Sequence, residues 1–306
     1  MAQAPVIVWF RHVMRLADHP ALLAAIATGE PIVPVYILDD LAPGKWRLGG
    51  ARRWWLHHSI RALDRSLRER GAKLLLRRGP TVQCLRDLAD QIGAKAVYAT
   101  RSLEPWARKL EAGAHAALAR DGTELKRFPG STLFEPEDVR SKSGNPLTIY
   151  AAFRRAIMAR ELPASRPAPA AINSPSRLPK GDRLDDWGLL PRAPDWAGGL
   201  RETWVAGEEA AAAQLDVFLR NGILRYHELR DRPDLPGTSR LSPYLANGEI
   251  SPRACWHAAR MRGSGKGVEV FLRELAWREY SHHLLYHRPD LPDAPFRQQY
   301  AGLHWR

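Results

Sequence analysis

Short apolar runs alternate with amphipathic segments along the first 130 residues of the chain. Each run has the length and the β-branched or aromatic content of a strand: Val6–Phe10, Ile32–Leu38, Lys73–Leu76, Ala96–Ala99 and Leu125–Phe128. Between the second and third runs, apolar residues from Leu56 to Leu67 recur at helical spacing, and Gly71 predicts the end of that helix. The alternation predicts an α/β domain with a doubly wound parallel sheet over residues 1–130.

The pattern changes twice after residue 130. Residues 131–204 include seven prolines between Pro163 and Pro194 and show no sustained period, which predicts a long interdomain linker. From residue 205 to 306 the periodic segments are helical. They are Gly207–Leu219, a short helix capped by Thr238 or Ser239 and closed by Gly248, a helix that begins at Ser251-Pro252, and Val268–Tyr286. Residues 205–306 are therefore predicted to form an all-helical domain.

The composition favours a globular protein over a disordered, membrane-spanning or disulfide-rich one. Hydrophobic residues are 45% and charged residues 26% of the 306 residues, which is typical of a globular chain and excludes a wholly disordered one. No apolar run reaches the ~18 residues that a membrane span needs, and the N-terminus lacks the charged start of a signal peptide. Two cysteines, Cys84 and Cys255, cannot form a disulfide framework. We expect a cytoplasmic monomer with no membrane association.

The charge of the chain points to a polyanionic partner. The net charge is +13, and only 8 of the 46 basic residues are lysine. Arginine presents a planar fork of donors that suits phosphate, so nucleic acid is the first partner to consider, although GC-rich coding would also raise the arginine count. The positive charge is concentrated in two segments. Residues 47–86 contain 11 basic and 2 acidic residues, and residues 221–306 contain 13 basic and 9 acidic residues.

Hydroxyl side chains gather in the segment from Arg230 to Leu245. Thr238, Ser239 and Ser242 lie around a predicted helix N-terminus, where free backbone N–H groups and the helix dipole favour an anion such as a diphosphate. Taken alone, these residues also fit an ordinary helix N-cap.

A second chemical pattern lies between Phe271 and Tyr280. Glu274, Trp277 and Arg278 stand at i, i+3 and i+4, so one helix face presents a carboxylate, an indole and a guanidinium together. Trp277 could stack on a base and Glu274 could hydrogen-bond a base edge. The alternative is a solvated face that carries ion pairs.

Other motifs favour ordinary structure. Gly263–Gly267 lacks the residues of a Walker loop and indicates an inter-helix loop. His283 and His287 are four residues apart without the glutamate of a zincin helix, so no metal site is predicted.

Together these residues resemble the DNA photolyase/cryptochrome family. Residues 6–22, VIVWFRHVMRLADHPAL, look like the first strand and turn of that family. Residues 237–243, Gly-Thr-Ser-Arg-Leu-Ser-Pro, and 274–279, Glu-Leu-Ala-Trp-Arg-Glu, are similar to its two flavin-domain signatures. The resemblance implies an N-terminal α/β antenna domain, a wrapping linker and a helical domain that holds FAD.

The resemblance also implies roles for individual residues. The positions around the ribityl and phosphate groups of FAD would be Tyr226, Thr238, Ser239, Arg240, Leu241 and Ser242, and Phe271 and Arg278 would line the flavin. Glu274 and Trp277 match catalytic residues that face a flipped pyrimidine dimer, and Arg230 matches a contact to DNA phosphate. Trp305 resembles the outermost tryptophan of the chain that photoreduces the flavin.

The sequence departs from the family pattern at several positions. Val13 stands where an acidic residue usually organises the first turn, and a tryptophan is common where Phe271 stands. Trp106 and Ala107 occupy positions that would contact a folate antenna, so the antenna chromophore is not assigned. The family continues through further flavin-domain helices beyond the equivalent of Arg306, and we expect this chain to be truncated and inactive alone.

The expected function is that of a deoxyribodipyrimidine photolyase. Reduced FAD would absorb blue light and pass one electron to a cyclobutane pyrimidine dimer flipped out of DNA. The alternative is a cryptochrome-type photoreceptor without repair activity, against which the presence of both Glu274 and Trp277 argues. A third hypothesis is a non-catalytic fragment that does not retain FAD.

Overall fold

The N-terminal part of the molecule is one five-stranded sheet, seen in a computed structural model that describes residues 4–303. All its strands are parallel, in the order β3-β2-β1-β4-β5. They are β1 (Val6–Phe10), β2 (Ile32–Leu38), β3 (Leu75–Arg78), β4 (Ala96–Thr100) and β5 (Glu124–Phe128). The predicted doubly wound sheet is confirmed, with its third strand shifted toward the C-terminus.

Helices cover both faces of this sheet, which explains why its central strands are apolar throughout. Every residue of β1 and β2 is buried. The covering helices are α1 (Pro20–Ile26) and α2 (Gly50–Arg68) on one face, and α3 (Thr81–Ile92) and α4 (Pro105–Arg120) on the other. The strand order reverses beside β1, and the carboxyl ends of the strands at such a point commonly form a ligand site.

The region that follows the sheet is long and mostly without regular structure. It contains α5 (Tyr150–Met158) and α6 (Gly198–Thr203). Ile172, Trp187 and Leu189 from this region are buried in the core that α1 and α2 form with the sheet. The proline-rich segment therefore packs on the α/β domain along its course.

The remaining helices pack around α11 (Lys266–His287). They are α7 (Glu208–Asn221), α8 (Tyr226–Leu229), α9 (Ser242–Ala246) and α10 (Pro252–Arg260). Ser251 caps α10 as predicted, since its Oγ accepts the N–H of Ala254 at 2.9 Å. Gly267 lets α11 lie against the turn before α8, because a Cβ there would be 2.0 Å from the Ile223 oxygen.

The predicted cap of α9 is wrong. The helix begins at Ser242, its N-cap residue is Leu241, and no side chain caps it. Arg240 has a φ of +56°, a left-handed conformation that interrupts any helical path from Thr238 or Ser239. The hydroxyl groups of this loop therefore precede the helix and do not cap it.

Two tryptophans of α2 join the α/β domain to the helical core. Trp54 and Trp55 are buried and belong to the same hydrophobic cluster as side chains of α7, α10 and α11, and the Trp55 ring packs on Trp204 and Tyr244. The indole of Trp55 donates to Glu249 Oε2 at 3.0 Å, while Ser59 Oγ and the N–H of Gly207 donate to Oε1. Burial raises the pKa of Glu249 to about 7 in spite of these donors. One buried carboxyl group thus ties α2 to the helical part.

Within residues 4–303, no helix is both long enough and apolar enough to cross a membrane.

Candidate cofactor and nucleic-acid site

A cavity of about 510 Å³ lies between the helical part and the turn that follows β1. Seven of the predicted site residues line this interdomain cavity: Tyr226, Ser239, Leu241, Ser242, Phe271, Glu274 and Arg278. His12, Val13 and Arg15 from the turn after β1 form another part of its wall. The fold therefore brings together residues from α8, α9, α11 and the loop before α9.

The loop from residue 237 to 241 holds the hydroxyl groups at the cavity. A Cβ at position 237 would lie 2.4 Å from the Leu229 oxygen, so only glycine lets this loop close on the end of α8. Leu241 is buried and anchors the other end. Ser242 and Thr238 are exposed, and Thr238 lies outside the lining of the cavity.

Arg240 directs its side chain away from the cavity. Its Nη2 donates to the Thr203 oxygen at 3.3 Å, and its guanidinium carbon lies 4.3 Å from the centre of the Trp204 ring. Arg240 thereby ties the hydroxyl-bearing loop to the end of α6.

The rings of Tyr226 and Phe271 belong to the apolar part of the cavity wall, which also contains aliphatic side chains. Phe271 is buried, with its ring centre 5.7 Å from that of Tyr226 and 4.9 Å from that of Phe218. One side of the cavity is thus aromatic, while Ser239, Ser242 and Arg278 supply polar groups elsewhere in its wall.

Arg278 and Glu279 fasten α11 to the segment that leaves the sheet. Arg278 donates to the Ser131 oxygen and to Glu279 Oε1, each at 2.9 Å. Glu279 also accepts the N–H of Leu133 at 2.6 Å. Burial raises the pKa of Glu279 to about 7 despite the neighbouring guanidinium.

Arg230 and Glu274 form an ion pair between α8 and α11. Their side chains are 25% and 29% exposed, so the pair is only partly shielded from water. Arg230 Nε also donates to Asp231 at 3.1 Å, and its hydrogen bond to Glu274 is the main reason that the pKa of Arg230 is raised. The sequence analysis expected Arg230 to contact DNA phosphate and Glu274 to contact a pyrimidine dimer. It did not predict that the two side chains contact each other.

Trp277 lies outside the lining of the interdomain cavity, one helical turn from Glu274. The residue is 42% exposed, and its ring is stacked on Tyr150, with ring centres 3.4 Å apart and planes 5° from parallel. Tyr150 belongs to α5, inside the segment that the sequence analysis assigned to the linker.

The turn after β1 is organised by Arg15. Its guanidinium is buried and donates to the carbonyl oxygens of Ala17, Asp18, Gly130 and Gly248 at 2.8–3.1 Å. These bonds hold the turn together with Val13 at the position where the family resemblance expects an acidic residue.

Glu208 of α7 fixes the same turn from the helical side, because it accepts the N–H groups of Leu16 and Ala17 at 2.7 and 2.8 Å. Val13 itself is buried against the wall of the cavity. A Cβ at position 248 would lie 2.1 Å from the His12 oxygen, so Gly248 permits the close approach of the two domains.

A second cavity, of about 390 Å³, lies at the carboxyl edge of the sheet. Trp106 lines it, whereas Ala107 is buried in α4. His12, Arg52, Glu104 and Ala246 line both this edge cavity and the interdomain cavity, so the two are neighbours.

The histidines near the cavities are held neutral. Burial, together with Arg11, lowers the pKa of His12 to about 4, and burial with Arg278 lowers that of His282 to about 4. No group of three metal-ligating side chains occurs among residues 4–303.

Several residues of the site were missed by the sequence analysis, among them Arg15, Glu249, Glu279 and Tyr150. Glu279 follows Phe271, Leu272 and Leu275 at helical spacing, and this signal would have placed it on the buried face of α11. Trp305 lies outside the described residues.

Comparisons with known proteins identify the family and fold that this chain resembles. The DNA photolyase family matches residues 6–172, more than half of the chain. The deoxyribodipyrimidine photo-lyase of Agrobacterium fabrum is 40% identical over 99% of this chain and 64% of its own length, and Cryptochrome-1 of Arabidopsis thaliana is 30% identical over 98% of this chain and 46% of its own length.

A solved structure shows the same fold. The bacterial class III photolyase of Agrobacterium tumefaciens superposes with a TM-score of 0.95 at 39% identity, over all of this chain and 64% of that one. This chain thus spans about two-thirds or less of the length of these relatives. By the family match and this fold, the chain belongs to the DNA photolyase family.

Proposed function

We propose that the interdomain cavity binds FAD and that the neighbouring face of α11 receives a pyrimidine dimer flipped out of DNA, for light-driven repair. The convergence of seven predicted residues on one cavity carries this proposal. The names of the Agrobacterium relatives support it.

The residues present fit a flavin dinucleotide. The cavity combines the buried aromatic ring of Phe271 with the polar groups of Ser239, Ser242 and Arg278, and FAD combines an apolar ring system with a diphosphate. The hydroxyl groups would hold the diphosphate side. Tyr226, Phe271 and Arg278 would meet the remainder of the cofactor.

The chemistry divides between the cofactor and the chain. When bound, reduced FAD supplies the light-driven electron, and the protein supplies binding, orientation and electrostatics. Trp277 stacks on the flipped dimer, Glu274 forms a hydrogen bond at its base edge, and Arg230 holds a DNA phosphate. Arg230 and Glu274 are in contact, and Trp277 follows Glu274 by one turn of α11.

We further propose that the 306-residue chain retains FAD weakly and does not repair dimers alone. Ser242 is exposed at the edge of the cavity, and Thr238 is exposed beside it. Ligand sites usually bury ~70–90% of the surface of a ligand, and this side of the cavity is open. The purified chain should therefore carry less than one flavin per molecule.

A titration with FAD, followed by absorbance in the flavin bands and by equilibrium dialysis, tests the cofactor site. Ser242→Asp should weaken FAD binding roughly tenfold, because it sets a negative charge beside the diphosphate. Ser281→Asp is the matched control, since Ser281 is exposed on α11 away from the cavity lining. Equal effects of the two variants would contradict the assignment of the cavity.

The substrate is tested with oligonucleotides that do or do not contain a cyclobutane dimer. Preference for the dimer-containing strand supports a repair enzyme. FAD binding without that preference would favour the cryptochrome-type photoreceptor instead. Dimer splitting under blue light by the 306-residue chain with added FAD would contradict the proposal that it is inactive alone.

A further inference from the structure

The stack of Tyr150 on Trp277 joins two elements that are distant in sequence. A separation of 3.4 Å at 5° is the geometry of two aromatic planes in full contact. Aromatic pairs in proteins prefer offset or edge-to-face packing, as most other pairs in this molecule show. General packing preferences therefore do not explain a parallel stack at an exposed position.

Tyr150 is held in place by its own helix. It is the first residue of α5, and Phe153 and Ile157 of that helix are buried in a cluster with Ala276 and Tyr280 of α11. Its hydroxyl group donates to the Arg273 oxygen at 3.0 Å.

A second bond fixes the same segment, because the Tyr280 hydroxyl donates to the Thr148 oxygen. Two tyrosine hydroxyl groups thus tie the start of α5 to α11. Tyr150 cannot swing away without breaking these contacts.

The contacts of Trp277 leave one side of its ring open. Tyr150 covers one face, and Tyr280 packs against Trp277 at 71°, with ring centres 5.7 Å apart. Trp277 as a whole residue is nevertheless 42% exposed. Because Tyr150 covers one face of the ring, the exposed part of the ring lies on the opposite face and at its edges.

We propose that Tyr150 is a positioning residue that fixes the plane of Trp277, so that a base stacks only on the face opposite Tyr150. The proposal rests on the proposed function in that the base comes from a DNA lesion. An exposed indole without such a backing moves among several rotamers, and a base that stacks on it must first order the ring. Tyr150 supplies that order before DNA binds.

Two measurements on the 306-residue chain test the proposal, with Tyr150→Ala, Tyr150→Phe and Ile149→Ala. Ile149 is the exposed neighbour of Tyr150 and is the matched control. Acrylamide quenching of Trp277 is isolated as the difference between each protein and the same protein carrying Trp277→Phe. Quenching of Trp277 should increase in Tyr150→Ala, increase less in Tyr150→Phe, which keeps the ring but loses the bond to the Arg273 oxygen, and stay unchanged in Ile149→Ala.

The affinity for a dimer-containing oligonucleotide is measured by fluorescence anisotropy. Tyr150→Ala should lower it by roughly 3- to 10-fold, the value of one aromatic pair, while affinity for undamaged DNA stays constant. Tyr150→Phe should lower the affinity for the dimer less than Tyr150→Ala, because the ring remains. In the Trp277→Ala background, Tyr150→Ala should have no further effect, because Tyr150 acts through Trp277.

Three results would overturn the positioning role: unchanged quenching in Tyr150→Ala, increased quenching with unchanged dimer affinity, or an equal loss of affinity when Trp277 is absent. The last result would make Tyr150 a direct DNA contact. A chain that shows no preference for the dimer at all would refute the proposed function, and with it the assignment of a lesion base to Trp277. The quenching comparison would still report separately whether Tyr150 orders the ring.

Discussion

Arg230 and Glu274 neutralise each other across the contact between α8 and α11. The resemblance assigns Arg230 to DNA phosphate and Glu274 to the base edge of a dimer, so neither residue is free for its assigned partner in this structure. We infer that a flipped dimer draws Glu274 away and releases Arg230 for the DNA backbone. The ion pair would thus couple lesion recognition to backbone binding.

Replacement of Glu274 should alter the binding of undamaged DNA. Glu274→Gln removes one of the two carboxylates that pair with Arg230, so the plot of log K against log salt should become steeper by up to about 0.9, the value for one phosphate contact. Preference for dimer-containing DNA should decrease at the same time. The measurement is a series of anisotropy titrations at increasing salt, and an unchanged slope would show that Arg230 does not reach the backbone.

Replacement of Arg230 should affect only lesion-containing DNA. With Arg230→Ala, the salt slope for a dimer-containing duplex should become shallower by about 0.9, while the slope for undamaged DNA should not change, because Arg230 is paired there. Arg232→Ala is the control, since Arg232 is held by Asp234 on the exposed loop. An equal change for both kinds of DNA would argue against release of Arg230 by the dimer.

Trp277 should contribute to DNA binding and not to cofactor binding. Trp277→Ala should weaken binding of dimer-containing DNA by ~1–3 kcal/mol, the value of one stacked base. The affinity for FAD should persist, because Trp277 lies outside the lining of the interdomain cavity. Parallel FAD and DNA titrations check both statements. Loss of both affinities together would make Trp277 a structural residue.

The buried carboxyl group of Glu249 should give the stability a pH dependence. Its pKa is raised from 4.5 to about 7 in the folded chain, chiefly by burial. Its contribution to the free energy of unfolding is therefore fully present below about pH 4.5. That contribution decreases by about 1.4 kcal/mol per pH unit as the pH rises toward 7.

Urea unfolding between pH 5 and 7 measures this slope. In Glu249→Gln the free energy of unfolding should decrease less between pH 5 and 7, since the amide does not titrate. Glu124→Gln, at an exposed position on β5, should leave the slope of the unaltered chain in place. Parallel slopes for all three proteins would show that Glu249 does not lose its proton in this range.

Local signals in the sequence were sufficient for the strands and for several helix ends. The buried strands β1 and β2 are continuous apolar runs, and Ser251 followed by proline gives the start of α10. The start of α9 was not predictable in this way. It depends on the left-handed Arg240, whose side chain is held by Trp204 and the Thr203 oxygen.

In the candidate site, too, local sequence patterns predicted some features, while others depend on contacts between distant elements. The residue types at Glu274, Trp277 and Ser242 indicated their chemistry, because each pattern is short in sequence. The partner of each side chain comes from another element, as with Tyr150 of α5 beside Trp277 of α11. Such pairings depend on how helices pack, and spacing along one helix does not specify them.

Arg15 makes the two domains one cooperative unit. Its guanidinium bonds to the oxygen of Gly130 at the end of the sheet and to that of Gly248 in the helical part, so separation of the domains would leave buried carbonyl groups without donors. A protease cut in the exposed segment 163–167 would therefore nick the chain without releasing either piece. The nicked protein should elute and melt as a single particle.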